Sequence, residues 1–204
     1  ITFGAETVSG RKPWRIAHLG LVRTFQNLRL FHSLTVMDNV LVGCRSDRPA
    51  GWLSVLTGAG RAGLEETALR QRAEEALAFV GLQALAGQPV RTLPHEQQRV
   101  VEVARAIAMK PRLVMLDEPA AGMNPAEVDR LIERIIGLRA AGITILLVEH
   151  NMSLVMRVAD RITVLNHGRK IAEGDPAMIR DNPGVIEAYL GQGTRRRLAR
   201  HAAA

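Results

Sequence analysis

The chain has 204 residues, enough for one domain with a sizeable core, and its 47% hydrophobic and 23% charged residues are ordinary for a globular protein. Aromatic residues make up only 3% of the chain, which argues against nucleic-acid binding through stacked bases. The net charge of +7 would suit an anionic surface, either nucleic acid or lipid headgroups, but scattered basic residues favour the alternative of a solvated face. The densest basic cluster lies in a C-terminal tail that we expect to be disordered, at Arg195, Arg196, Arg197 and Arg200.

The single cysteine, Cys44, excludes an internal disulfide, fits a reducing compartment and is expected to pack as a small apolar residue. No apolar run approaches the roughly 18 residues needed to span a bilayer, and no secretory signal opens the chain. The sequence begins without Met, in the strand-like stretch Ile1-Thr2-Phe3. We therefore expect the natural N-terminus to lie further upstream.

Residues 1–110 begin with short elements and continue as a mostly helical insertion over 27–110. The early elements are a strand over 1–8, a turn at Ser9-Gly10, a helix over Pro13–His18 and a strand over Leu21–Phe25 that leads into Gln26. A glycine-containing loop is predicted over 51–63, and apolar residues at helical spacing predict a long helix over 64–85.

The second half alternates between strands and helices. The continuous apolar run Leu113–Leu116 is typical of a buried parallel strand, and Asn124, Pro125 and Glu127 form a strong helix start. The remaining predictions are strands at 143–148, 162–165 and 170–173, and helices at 152–159, 176–180 and 183–190, with Gly142 ending the helix from Asn124. This order predicts an α/β fold with a parallel sheet and right-handed crossovers.

Ionisable residues follow two of these strands, at Asp117-Glu118 and at Glu149-His150. In such sheets the chemistry gathers at the carboxyl ends of the strands, so we expect the two pairs to come together. Adjacent carboxylates after a buried strand are costly unless a cation neutralises them, and a magnesium ion on nucleotide phosphates would do so. Asp117 could then hold the metal and Glu118 could activate water, although a solvated loop remains the alternative for the pair alone.

The order of motifs resembles the ABC ATPase family. It comprises Gln26 at a strand end, Leu93-Pro94-His95-Glu96-Gln97 before a helix, Asp117-Glu118 after a buried strand, and His150 after the next strand. Within that family, several stretches resemble the larger of the paired ATP-binding subunits of branched-chain amino-acid importers. They are Arg23–Asn27, Arg29–Phe31, Leu34–Val36, Asn39-Val40, Asp117–Pro125 and the ending with Asn182-Pro183, Val185-Ile186 and Ala188–Gly191.

The resemblance implies a partial P-loop NTPase fold of the ABC ATPase type, with a parallel sheet core and an inserted helical subdomain, lacking the P-loop strand and helix. Residues 1–26 would be the remnant of the N-terminal nucleotide-binding core, and 27–110 the helical subdomain with the signature motif. Residues 111–191 would be the RecA-like core, and 192–204 a basic tail.

The resemblance also implies roles for individual residues. Gln26 would contact magnesium and the attacking water, Asp117 would hold the metal, and Glu118 would be the general base. His150 would hydrogen-bond the γ-phosphate, although a lone histidine is more often a capped core residue. The signature residues Leu93, Pro94, His95, Glu96 and Gln97 would approach the ATP held by a second subunit, and Asn124 would cap its helix and contact that subunit.

The implied cofactors are ATP and Mg2+. The implied partners are a second ATPase subunit, identical or different, transmembrane permease subunits and, indirectly, a periplasmic binding protein, with no nucleic acid. The protein would be cytoplasmic and peripheral on the inner face of the plasma membrane. The transported solute, a branched-chain or related hydrophobic amino acid, rests on the resemblance alone.

Two departures from the family pattern qualify these expectations. No G-x-x-x-x-G-K-[ST] motif occurs in the sequence, and we expect it upstream of Ile1. The residues as given should then bind ATP poorly and be marginally stable, because the sheet would expose an edge. Glu96 stands where the family has its second signature glycine. A carboxylate there would crowd and repel a phosphate, which predicts a weakened composite ATP site, although Glu96 also suits the first turn of a helix.

Three other functions are alternatives to an importer motor. A motor of the lipopolysaccharide-export type is disfavoured by the residues 23–27 and 120–125. A non-transport ABC protein acting on DNA or ribosomes is disfavoured, because such proteins usually have two cassettes or a long coiled coil and this sequence shows neither. A degenerate subunit that does not hydrolyse ATP is favoured by Glu96 and the absent P-loop motif, and opposed by Asp117, Glu118 and His150.

Overall fold

A three-stranded parallel sheet organises the first of two compact units, Ile1–Glu149 and His150–Ala204. The computed structural model describes residues 1–24, 29–44 and 61–189, with no side chains described at 61–63. The predicted Gln26, the arginine cluster of the tail and the loop at 51–60 therefore lie outside the described residues. The four segments predicted from the sequence, 1–26, 27–110, 111–191 and 192–204, stay a prediction.

The parallel sheet has the order β3-β4-β5, formed by Leu21–Arg23, Leu113–Asp117 and Thr144–Val148. The central strand β4 alternates buried and half-buried side chains, with Val114 and Leu116 each 1% exposed. The edge strand β5 is more open, and Leu146 and Val148 are 50% and 55% exposed. The predicted strand at Leu113–Leu116 is thus confirmed, and it includes Asp117 as its last residue.

The start of the chain folds differently from the single strand predicted over 1–8. Thr2–Phe3 (β1) and Glu6–Thr7 (β2) form an antiparallel hairpin, and helix α1 follows at Pro13–His18. Gly4 makes the reversal possible, because its φ of 60° lies in the left-handed region that glycine adopts without a Cβ penalty.

Three helices form an aliphatic core within the first unit: α2 (Val36–Gly43), α3 (Arg61–Val80) and α4 (His95–Ala108). The shared core includes Val40, Leu77 and Val101, all fully buried. The helix predicted over 64–85 ends earlier, since Gly81 has a φ of 75° and only a short 3-10 turn follows at Gln83–Leu85. Cys44 packs half-buried against this core, and burial raises the pKa of its thiol.

Helices α2 and α4 approach each other closely at Gly43. A Cβ placed on Gly43 would lie 2.4 Å from the backbone oxygen of Arg105, which cannot move without distorting α4. We expect Gly43→Ala to lower the free energy of unfolding by about 1–3 kcal/mol, measured by urea unfolding. Gly87→Ala is the matched control, because Gly87 has no atom within 4 Å of the added Cβ. Equal effects of the two substitutions would contradict this packing.

Helix α5 (Pro125–Ala140) follows β4 and begins as the sequence predicts. The Asn124 side chain accepts a hydrogen bond from the Glu127 amide at 3.0 Å, and the Glu127 carboxylate accepts one from the Asn124 amide at 2.8 Å. This reciprocal capping box satisfies two helix-end donors and fixes where the chain turns after the sheet. The apolar face of α5 buries Leu131, Ile132 and Ile135.

The second unit contains α6 (Met152–Val158), β6 (Ile162–Asn166), β7 (Arg169–Gly174), α7 (Pro176–Arg180) and a helical stretch, α8, at 183–189. The alternation of strands and helices predicts parallel pairing for the strand at 162–165 as well, and this is wrong, because β6 pairs antiparallel with β7 in a two-stranded sheet. His167 and Gly168, with φ of 47° and 75°, make the tight turn of this hairpin.

Candidate functional site

Asp117 and Glu118 lie side by side at the carboxyl end of β4, the middle strand of the parallel sheet. Asp117 is the last residue of the strand and is in register with Val148 of β5. The Glu118 amide donates to the Val148 carbonyl oxygen at 2.9 Å, which extends the ladder by one residue. Glu118 itself has a φ of 45°, a conformation uncommon for a residue with a side chain, and such residues concentrate at functional sites.

The Asp117 carboxylate has a cationic neighbour from the adjacent strand. Arg23, the last residue of β3, donates from Nη2 to Asp117 Oδ2 at 2.6 Å. The side chains are 53% and 27% exposed, so solvent screens the pair and its contribution to stability is small. In the sequence, Arg23 stands out only as part of a family-like stretch. The signal that could have found it is its position at the end of the strand that lies next to β4.

The expected meeting of two strand ends is confirmed for Glu149. Its Oε1 accepts a hydrogen bond from the Ala120 amide at 2.8 Å, so the residue after β5 holds the loop after β4. Asp117, Glu118 and Glu149 therefore occupy one edge of the sheet. His150 is the first residue of the second unit, and its role stays a prediction.

A small cleft opens beside these carboxylates, between β4 and the helices α4 and α5. Its polar lining comes from Thr24, Arg99, Glu102, Asp117, Glu118 and Arg134. Arg99 Nη1 donates to the Pro119 carbonyl oxygen at 2.9 Å, which ties α4 to the loop after Glu118. The cleft offers about 40 Å3, room for a few water molecules. Water can thus reach the carboxylate pair from the side of the helices.

The predicted signature residues lie at the start of α4. Leu93 is buried in the helical core at 6% exposure, so its contribution is packing. Pro94 is the residue before the helix and provides no side-chain cap, while His95 is exposed and Gln97 is half-buried. The first turn of α4 therefore presents its backbone donors without a capping side chain on Pro94.

Glu96, in that same first turn, contacts two arginines of α5. Its Oε1 accepts from Arg130 Nε and Nη2, both at 3.2 Å, and lies 4.0 Å from Arg134 Nη1. Burial lowers the pKa of the Arg134 guanidinium, and the Glu96 carboxylate opposes that effect. These partners of Glu96 are not evident from the sequence, because the arginines belong to a helix distant from it along the chain. The spacing of Arg130 and Arg134 by one helical turn was the available signal.

The described part of the chain has neither a cluster of metal-binding side chains nor a helix that could span a membrane. Over 1–24, 29–44 and 61–189, the structure brings together no group of three or more histidine, cysteine or acidic residues able to hold a metal ion. In the same ranges, every helix is too short or too polar to cross a bilayer.

Comparison with known proteins gives concordant matches. A family model described as ABC transporter matches residues 1–121, and one described as branched-chain amino acid ATP-binding cassette transporter matches residues 169–194. The high-affinity branched-chain amino acid transport ATP-binding protein BraF of Pseudomonas aeruginosa is 42% identical over 201 residues, covering 94% of this chain and 76% of the relative. LivG of Escherichia coli, with the same description, is 43% identical over 188 residues, covering 92% and 74%.

A solved structure is similar over the same extent. It is an ATP-binding cassette of an ABC transporter in its ADP conformation, with a TM-score of 0.74 and 30% identity, covering 91% of this chain and 74% of the other. A nucleotide-free cassette of an ABC transporter gives a TM-score of 0.73 at 29% identity.

Proposed function

Because the chain belongs to the ABC transporter family of ATP-binding subunits, we propose that it is the motor ATPase of an importer for branched-chain or related hydrophobic amino acids. The observation that carries the proposal is the placement of Asp117 and Glu118 together at the carboxyl end of the central strand. The choice of solute follows the relatives, which are described as branched-chain amino acid transport proteins. The family match to residues 169–194 carries the same description.

The carboxylate edge fits a magnesium ion bound to nucleotide phosphates. Asp117 is partly exposed and already lies against a cation, the Arg23 guanidinium at 2.6 Å. Mg2+ in nucleotide sites is bound through one or two carboxylates together with phosphate and water oxygens. In this proposal Asp117 and Gln26 hold the metal of ATP, and that ion supplies positive charge to the phosphates during hydrolysis.

Glu118 is proposed as the general base that takes a proton from the attacking water. Its backbone is held by the bond from its amide to Val148, and the following loop is held by Arg99 and Glu149. These contacts hold the backbone at Glu118 and in the loop that follows it. A base that is held in this way needs little rearrangement when substrate arrives, which is how positioning lowers a barrier.

The other predicted residues belong to a site shared between two subunits. His150 is proposed to hydrogen-bond the γ-phosphate in its own subunit. Pro94, His95, Glu96 and Gln97, with Leu93 packed beneath them, are proposed to face ATP held by the second subunit. Asn124, which caps α5, is proposed to contact that subunit as well. Closure of two such subunits on ATP and reopening after hydrolysis would then drive the membrane partner.

The proposed partners are a second ATPase subunit and transmembrane permease subunits, with a periplasmic binding protein acting through them. The proposed location is peripheral, on the cytoplasmic face of the membrane. No nucleic-acid partner is proposed.

Uptake of radiolabelled leucine tests the proposal. We expect a bacterial strain lacking its own branched-chain amino-acid importers to take up leucine when it expresses this subunit with its permease and binding-protein partners. Asp117→Asn should reduce uptake at least about ten-fold, because one carboxylate that holds the metal is lost. Energised uptake of an unrelated solute, with none of leucine, would refute the proposed substrate class.

A second candidate is a subunit that binds its mate without hydrolysing ATP at the composite site. Glu96 is the observation that favours it, since a carboxylate in the first turn of α4 opposes an incoming phosphate. The rate of phosphate release by the purified transporter separates the motor subunit from the non-hydrolysing subunit. If this subunit does not hydrolyse ATP, the transporter shows at most the ATP turnover of the partner ATPase subunit.

A further inference from the structure

The Glu96 carboxylate is held by a pair of arginines on another helix. Arg130 uses two nitrogens, Nε and Nη2, and both lie 3.2 Å from the same oxygen, Oε1. Arg134 lies one turn further along α5, with Nη1 at 4.0 Å from that oxygen. Residues one turn apart share a helix face, so the two guanidinium groups approach Glu96 from one side.

The three side chains differ in exposure. Arg130 is 47% exposed, whereas Arg134 and Glu96 are 19% and 20% exposed. Nη1 of Arg134 is buried and makes no hydrogen bond within the described part of the chain. It forms an ion pair with Glu96 Oε1 at 4.0 Å, and the Glu96 side chain is itself half-buried.

The charges of this cluster reverse the expectation for Glu96 alone. The Glu96 carboxylate faces two guanidinium groups, and the Glu133 carboxylate also acts on the Arg134 guanidinium. A helix start attracts anions through its free amide groups and its dipole, and an uncompensated carboxylate in the first turn would weaken that attraction. With Arg130 and Arg134 in place, the negative charge of Glu96 is compensated at the first turn of α4.

We propose that Arg130 and Arg134 are positioning residues for Glu96, which hold its carboxylate against α5 and neutralise it, so that the first turn of α4 can still accept a phosphate group. The inference rests on the proposed role of that turn in facing ATP of a second subunit. It predicts that Glu96 is harmful to phosphate binding only when its arginine partners are removed.

The first test needs no nucleotide. A double-mutant cycle compares thermal unfolding of the parent chain with Glu96→Gln, Arg130→Gln and the double variant. We expect each single substitution to lower the unfolding midpoint by about 2 °C, and the double variant to lower it no further than the larger single effect. Arg139→Gln, in the last turn of α5, is the matched control and should behave additively with Glu96→Gln. Additive effects in the Glu96–Arg130 cycle would overturn the pairing.

The second test follows the backbone amides of Glu96 and Gln97 by NMR while inorganic phosphate replaces chloride at constant ionic strength. Arg130→Gln should weaken the phosphate response about five-fold, the effect of freeing one charge about 4 Å from the anion in water. The double variant should recover the parent response. An unchanged response in Arg130→Gln would overturn the inference.

The two tests separate this inference from the proposed function. One outcome is non-additive unfolding midpoints in the Glu96–Arg130 cycle with no phosphate response in any variant. It would refute phosphate binding by α4, and with it the proposed effect of the arginines on that binding, but it would leave the ion pairs intact. Additive midpoints with a normal phosphate response would refute the arginine contacts and leave the role of α4 standing.

Discussion

The Glu118→Gln variant is expected to lower ATP turnover of the assembled transporter at least about 100-fold, the usual loss when a general base is removed. Gln has the same shape as Glu but takes up no proton, so the attacking water loses its acceptor. The positive φ of 45° at this position is unaffected, because the two side chains carry the same branching near the backbone. Turnover is measured as phosphate release at saturating ATP and magnesium.

The control for this prediction is Glu66→Gln, which removes the same charge from an exposed position on α3. It should leave turnover unchanged. Nucleotide affinity of Glu118→Gln should also stay within about two-fold of the parent, since a base acts on the chemical step rather than on binding. Turnover above a tenth of the parent rate would remove Glu118 from the role of base and leave it a positioned surface carboxylate.

Local signals in the sequence were sufficient for several parts of this structure. The run Leu113–Leu116 specified a buried strand, and the Asn124 cap with Glu127 specified where α5 begins. The resemblance to ABC ATPases is likewise confirmed, as is the predicted α/β fold, by relatives 42–43% identical and by solved cassettes. Each of these signals is carried by residues that are close together in the sequence, or by the order of short motifs.

The parts that sequence reasoning missed depend on contacts between distant segments. Arg23 meets Asp117 only because β3 and β4 are adjacent in a parallel sheet, and Arg130 meets Glu96 only because α5 packs near the start of α4. The predicted parallel pairing of β6 is wrong for a related reason. A short apolar run predicts a strand, but it carries no information on whether its partner is a parallel neighbour or the next strand across a tight turn.

The aliphatic core of α2, α3 and α4 reaches the start of α4. The same aliphatic cluster that contains Leu77 also contains Leu93, directly before the signature residues. A loss of packing in this cluster would therefore disturb the position of the helix start that is proposed to face ATP. We therefore expect the stability of the helical core and the geometry of the site to be coupled through α4.

Leu77→Ala tests this coupling and is expected to lower the free energy of unfolding by about 2–5 kcal/mol, because Leu77 is fully buried and the surrounding helices can collapse only in part. Leu64→Ala is the matched control on the same helix, since Leu64 is 76% exposed, and it should change stability by less than about 0.5 kcal/mol. Chemical unfolding measures both effects. Amide exchange measured in parallel should show faster exchange in α4 of Leu77→Ala than in the parent, whereas exchange confined to α3 would contradict the proposed link between the core and the site.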